Sequence, residues 1–131
     1  MTFIALQGIE EAHEPKVAPE GEYNLCIVNA KMNEKDGKVN VMTILEIEGE
    51  PDFGNVFHYI SIPTEDDDED KTKAKMLFAK RFFVQFGIDV DDGVELDQFV
   101  GSRAVGKLTQ DEYEGNIKNV LQVNRLPNEE G

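Results

Sequence analysis

Phe57 and Tyr59 stand two residues apart in "NVFHYISIP". On a β-strand that spacing turns both rings to one face. Rings so placed can stack on nucleobases, each stack being worth roughly 1–3 kcal/mol. The same spacing also suits two residues of a β core, and the sequence leaves both readings open. Cations that could meet phosphates occur in two places. Lys31 precedes "MNEKDGK", which contains Lys35 and Lys38, and Arg103, Lys107 and Lys118 lie in "VGSRAVGKLTQDEYEGNIKNVLQVNRL", with Tyr113 near its middle and Arg125 near its end. Hairpin lysines and a solvated strand face are the ordinary explanation for such residues, so neither group decides the matter alone.

Catalytic and metal chemistry find little support. His13, His58 and the single Cys26 are far apart in the chain and form neither a triad nor a zinc-ligand set. His58, between Phe57 and Tyr59, reads as a strand histidine. "EDDDED" at 65–70 and "DVDDGVELD" at 89–97 lack the register of a calcium loop. Phosphate-cradling glycine motifs are absent. The expectation is a binding protein without metal or cofactor rather than an enzyme.

Charge argues against a polyanion partner at first sight. The 131 residues carry 27 acids and 13 bases, a net charge of −14, which repels nucleic acid at long range. Over a Debye length of about 8 Å at physiological salt that field fades, so local sorting of charge matters more than the total. Acids crowd the N-terminal segment, the 65–70 and 89–97 stretches and the "PNEEG" tail, whereas the strand-borne bases cluster in the last hairpin. The longest apolar run is too short to span a membrane. The start "MTFIALQGIEEAHEP" lacks the basic region of a secretory signal. A cytoplasmic protein is expected.

The elements that must position these residues follow from periodicity. Residues 1–20 read as a flexible N-terminal arm, acidic and proline-containing, with an apolar head of Phe3, Ile4 and Leu6. "GEYNLCIVNAK" and "KVNVMTILEIEG" alternate as strands, joined by Asp36-Gly37, a strong hairpin signal. "NVFHYISIP" is a third strand closed by Pro63. A helix spans about 72–86, with Ala74, Leu77, Phe78, Arg81, Phe82 and Gln85 on one face, and stops at Gly87. The acidic run before it is a solvated loop whose charge faces the positive end of the helix dipole. One helical turn is expected around 95–99, then strands at 102–109 and 116–125 around a loop at 110–115. The order β-β-β-α-β-β is that of a mainly β, five-stranded OB-fold-like Greek-key barrel, with one helix between strands 3 and 4. The domain covers 21–127, followed by a short acidic tail at 128–131.

"APEGEYNLCIVNAK", "FGNVFHYISIP", "RFFVQFGID" and "FVGSRAVGKLTQDEYEGNIKNVLQVNRL" resemble, in that order, the small single-stranded-DNA-binding proteins of bacteriophages. The resemblance covers about residues 18–127, and its last piece is the most specific. It implies an OB-fold and sequence-independent binding of single-stranded DNA in phage replication or recombination, inside the infected bacterial host. It also implies a homodimer and phage replication or recombination proteins as partners. By position it adds Asn119 to Arg103, Lys107, Tyr113 and Lys118, with Phe57 and Tyr59 on strand three. The tail is shorter than the acidic tails through which such proteins recruit partners, which leaves that role to the "EDDDED" loop or to none. The alternative is an acidic interaction module, a DNA mimic or inhibitor docking on a basic host protein.

Overall fold

In the computed structural model, which describes residues 1–12, 14–91 and 93–126, five antiparallel strands form one sheet in the order β3-β2-β1-β4-β5. The strands are β1 (Gly21–Lys35), β2 (Lys38–Ile47), β3 (Val56–Ile62), β4 (Arg103–Tyr113) and β5 (Asn116–Gln122). A single α-helix, α1 (Glu69–Gln85), lies between β3 and β4 in the chain, and a 3-10 turn at Leu96–Gln98 precedes β4. His13 and the tail at 127–131 fall outside the described residues.

The long first strand organises the sheet. Its first part, Gly21–Cys26, pairs with β4, and from Leu25 to Lys35 it pairs with β2, so only Leu25 and Cys26 have ladder partners on both sides. Between those stretches the register with β2 slips at Val28, a bulge that lets one strand bend and serve two neighbours. β3 and β5 are the two edges, and they approach each other without forming a ladder. The closed barrel expected from the sequence is thus a curled sheet that hydrogen bonds do not close.

Both hairpins turn in two residues. Asp36 and Gly37 have φ of 54° and 78°, and Glu114 and Gly115 have 52° and 83°, the double positive φ that matches strand twist. The first turn agrees with the sequence reading. In the second, the six-residue loop expected at 110–115 is mostly strand: β4 runs to Tyr113, which pairs with Asn116. The polar composition of Gln110, Asp111 and Glu112 hid a ladder that extends beyond the core.

Leu25, Ile27, Val41, Leu45, Val56, Ile60, Leu108 and Leu121 form the inner face, and α1 covers it with Ala79, Phe82 and, at its C-cap, Phe86. Spacings of three and four residues give the helix one buried stripe. That stripe differs from the expected one. Phe78 and Met76 point to solvent, 61% and 59% exposed, and Arg81 covers the Phe78 ring at 5.1 Å. The helix also begins earlier than expected. Asp68 accepts a hydrogen bond from the Lys71 N–H at 2.8 Å as N-cap, and Glu69 and Asp70 occupy the first turn. Half of the acidic run is therefore helix start rather than loop. Gly87, with φ of 65°, ends the helix as expected, and the Ile88 N–H reaches back to the Phe83 carbonyl at 2.9 Å.

Gly106 has a packing role. A Cβ there would stand 2.8 Å from side-chain atoms of both Leu25 and Leu121, so only glycine lets β4 approach the core this closely. The last part of the expected arm is fixed to the body. Ala18 is fully buried, its N–H donates to Asn119 Oδ1 at 2.9 Å, and its carbonyl accepts from Asn119 Nδ2 and Gln110 Nε2, both at 2.9 Å. No described helix is long and apolar enough to cross a membrane.

Candidate nucleic-acid interface

Cross-strand register sorts the expected site residues by face, because partners in an antiparallel ladder share a face and neighbours along a strand alternate. Val56 and Ile60 of β3 are buried, which sends Phe57 and Tyr59 outward, 52% and 55% exposed. The question the sequence left open is answered: neither ring belongs to the core.

The rows across β1, β2 and β3 can be read directly. Asn29 is opposite Ile44, which is opposite Phe57; Lys31 is opposite Met42, which is opposite Tyr59; Asn33 is opposite Asn40, which is opposite Ser61. Lys35 and Lys38 face each other at the hairpin end of the same surface. None of these residues is a carboxylate; on this face of β2 the first is Glu46. Two aromatic rings, two partly covered apolar side chains, a row of neutral polar groups and three lysines therefore share ladder rows that contain no carboxylate, with Asp36 and Asp66 at the hairpin turn that ends them. Stacking needs the rings and phosphate neutralisation needs the lysines. Asn40 adds an enclosed Oδ1 that has no hydrogen-bond partner among the described residues. An acceptor left in that state is costly unless a donor reaches it.

The basic hairpin differs. Arg103 Nε lies 3.2 Å from Glu48 Oε1, Lys107 is registered opposite Glu22, and Lys118 is opposite Asp111. Each of these bases has a carboxylate for a neighbour, and Glu112 and Glu114 flank Tyr113 at the tip, where its ring is 70% exposed. Asn119 lies on the opposite face from Lys118, and its amide is engaged by the Ala18 backbone, so its task here is to hold the arm. The hairpin that looked cationic in sequence is locally close to neutral. The lysines that have no carboxylate across the ladder are Lys31, Lys35 and Lys38.

Residues missed in the sequence include Asn29, Met42, Ile44 and Asn40. β1 and β2 read as apolar on both faces, so periodicity gave no sign of which apolar set faced out. The acidic loop also comes nearer than expected. Asp66 Oδ2 lies 3.5 Å from where a Cβ on Gly37 would be, beside the hairpin turn that follows Lys35. Asp67 accepts from Lys75 Nζ at 2.8 Å and from the Thr64 N–H at 3.0 Å, and these two bonds hold its carboxyl below the usual carboxylate range.

His58 points inward, opposite in face to its two aromatic neighbours. Its ring stacks on Phe82 at 4.9 Å with 7° between planes, and burial pushes its pKa down from 6.5 to about 4. It is a neutral core histidine at physiological pH. Among the described residues, no group of three or more His, Cys, Asp or Glu side chains is placed to hold a metal ion. No protein-family model matches the chain, and no curated protein matches it.

Proposed function

We propose that this protein binds single-stranded DNA without sequence preference across the outer face of β1, β2 and β3, in phage DNA replication or recombination. Lys31, Lys35 and Lys38 neutralise phosphates, and bases stack on Phe57 and Tyr59. The observation that carries the reading is the pairing itself: on a chain of net charge −14, the two exposed rings of β3 and Lys31, Lys35 and Lys38 lie on one face in ladder rows that pair none of them with a carboxylate. The strand order and the position of α1 fit an OB-fold, whose strand 2–3 face and first and last hairpin loops form the usual oligonucleotide surface. Binding is not catalysis, and no step of this function asks for a nucleophile, a general base or a cofactor.

The test is a fluorescence-anisotropy titration of labelled oligo-dT at several salt concentrations. Three phosphate contacts predict a log-affinity that falls with log salt at a slope of about −2, since single strands contribute about −0.7 per contact. No binding in low salt would overturn the reading. A second reading, an acidic module docking on a basic host protein, is favoured by two features. The carboxylate of Asp66 stands beside the basic hairpin turn, and the bases of β4 and β5 have carboxylate neighbours. It predicts co-purification with a basic protein and no oligo-dT binding in the same titration.

A further inference from the structure

Two apolar surfaces of this chain are left open by the described residues. The first is the stretch "MTFIALQGI", residues 1–9, which carries no charged side chain in an otherwise acidic protein. Phe3, Ile4, Leu6 and Ile9 are all more than half exposed, Phe3 at 89%. The second is a groove of about 630 Å³ beside the first hairpin. Its floor is Met32, Val41 and Ile62 from the inner face of the sheet, and its walls are Met76 and Phe83 of α1 and Val90 of the segment that follows the helix. Among the described residues of its lining only Lys80 and Asp91 are charged, and they are of opposite sign.

The N-terminal stretch is tethered far from its own groove. The Lys16 N–H donates to the Asp52 carbonyl and the Lys16 carbonyl accepts from the Gly54 N–H, which fixes the chain at the β2–β3 turn. Val41 and Ile62 lie toward the other end of those two strands. From Lys16 back toward the N-terminus the chain forms a 3-10 turn at Ile9–Glu11, entered through Gly8 with φ of 86°, and none of its described residues lines the groove.

We infer that residues 1–9 of one protomer seat in this groove of a second copy, and those of the second copy in the groove of the first. Such an exchange closes on itself as a two-fold dimer, and it buries both apolar surfaces at once. Charge favours this occupant. Two bodies of net charge −14 repel each other, so association is favoured through surfaces without acidic side chains, and a segment with no charged side chain, entering a groove whose described lining carries one cation and one anion, meets that need. For the same reason the dimer tightens as salt screens the repulsion, opposite in sign to the salt response of oligonucleotide binding.

Sedimentation equilibrium tests the inference. The full chain is expected to be a dimer whose association strengthens with salt. A chain without residues 1–12, the Leu6→Asp chain and the Val84→Asp chain, whose substitution falls on an exposed residue of the groove lining, are expected to be monomers with unchanged circular dichroism. A photo-reactive phenylalanine analogue at position 3, in a mixture of isotopically heavy and light chains, should cross-link heavy to light within residues 76–99. Should Val84→Asp unfold the chain, Leu6→Asp and the cross-links still decide. A monomeric full chain, a dimer that survives Leu6→Asp, or cross-links confined to single chains would overturn it, the last assigning the groove to the chain's own N-terminal segment.

Discussion

Replacing Phe57 and Tyr59 together by alanine should weaken oligo-dT binding by about 10²-fold or more, because each lost stack is worth roughly 1–3 kcal/mol. Both rings are half-exposed on the edge strand and contribute nothing to the core cluster, so thermal stability should change little. Neighbours two apart on one strand share a ligand, and their effects need not add. Tyr113→Ala is the informative comparison. That ring stands at a hairpin tip between Glu112 and Glu114, where approaching phosphates meet carboxylates, and its removal should cost less than either β3 ring. Fluorescence anisotropy with the three variants measures all of this. Equal losses at Tyr113 and Tyr59 would move the binding path to the β4–β5 hairpin.

The second large effect concerns acid. His58 has a pKa of 6.5 when free and about 4 in the fold, where burial disfavours its charged form. A base whose pKa falls on folding binds a proton more readily in the unfolded chain. Its neutral form is therefore fully accommodated above about pH 6.5, and stability is lost as pH falls from there through the folded value. The shift corresponds to a loss of roughly 2 kcal/mol by pH 5 and about 3 kcal/mol near pH 4. Acidification also relieves repulsion among the surface carboxylates, which acts in the opposite direction. His58→Phe separates the two effects, because it keeps a ring against Phe82 and removes the titration. Urea midpoints from pH 7.5 to 4 should fall more steeply for the native chain than for the variant. Parallel curves would mean that the protonated ring finds solvent without disturbing the fold.

Much of this architecture is legible in the amino-acid sequence, for identifiable reasons. Asp36-Gly37 has few conformations open to it other than a tight hairpin, and Gly87 supplies the positive φ that closes α1. The alternation of Val56, His58 and Ile60 against Phe57 and Tyr59 is read correctly as a strand. The face stays open, because both sets are apolar enough for either side. Register across three strands decides it, and register is not a local property of sequence. The same difficulty affects β1 and β2, whose outward Met42 and Ile44 look like core until the ladder places them beside Lys31 and Asn29. The expected helix stripe falls on the wrong side of Phe78, since a helix with phenylalanines at 78, 82, 83 and 86 offers two plausible apolar faces.

Charge is the plainest case. In the linear chain Arg103, Lys107 and Lys118 look like a basic cluster, and Lys31, Lys35 and Lys38 look like common hairpin lysines. Folding reverses their standing, because Glu48, Glu22 and Asp111 come from other strands or from across the turn to meet the first group. No carboxylate is registered opposite Lys31, Lys35 or Lys38. A count along the sequence cannot see which opposite charge will arrive from elsewhere in the fold.

Charge reversal at the two places separates them directly. In oligo-dT titrations at low salt, Lys31→Glu should weaken binding roughly tenfold or more, since it removes one phosphate contact and puts a like charge beside the strand. Lys118→Glu should change binding by no more than a few-fold. The opposite ranking, with Lys118→Glu the damaging change and Lys31→Glu silent, would contradict a binding surface on β1, β2 and β3.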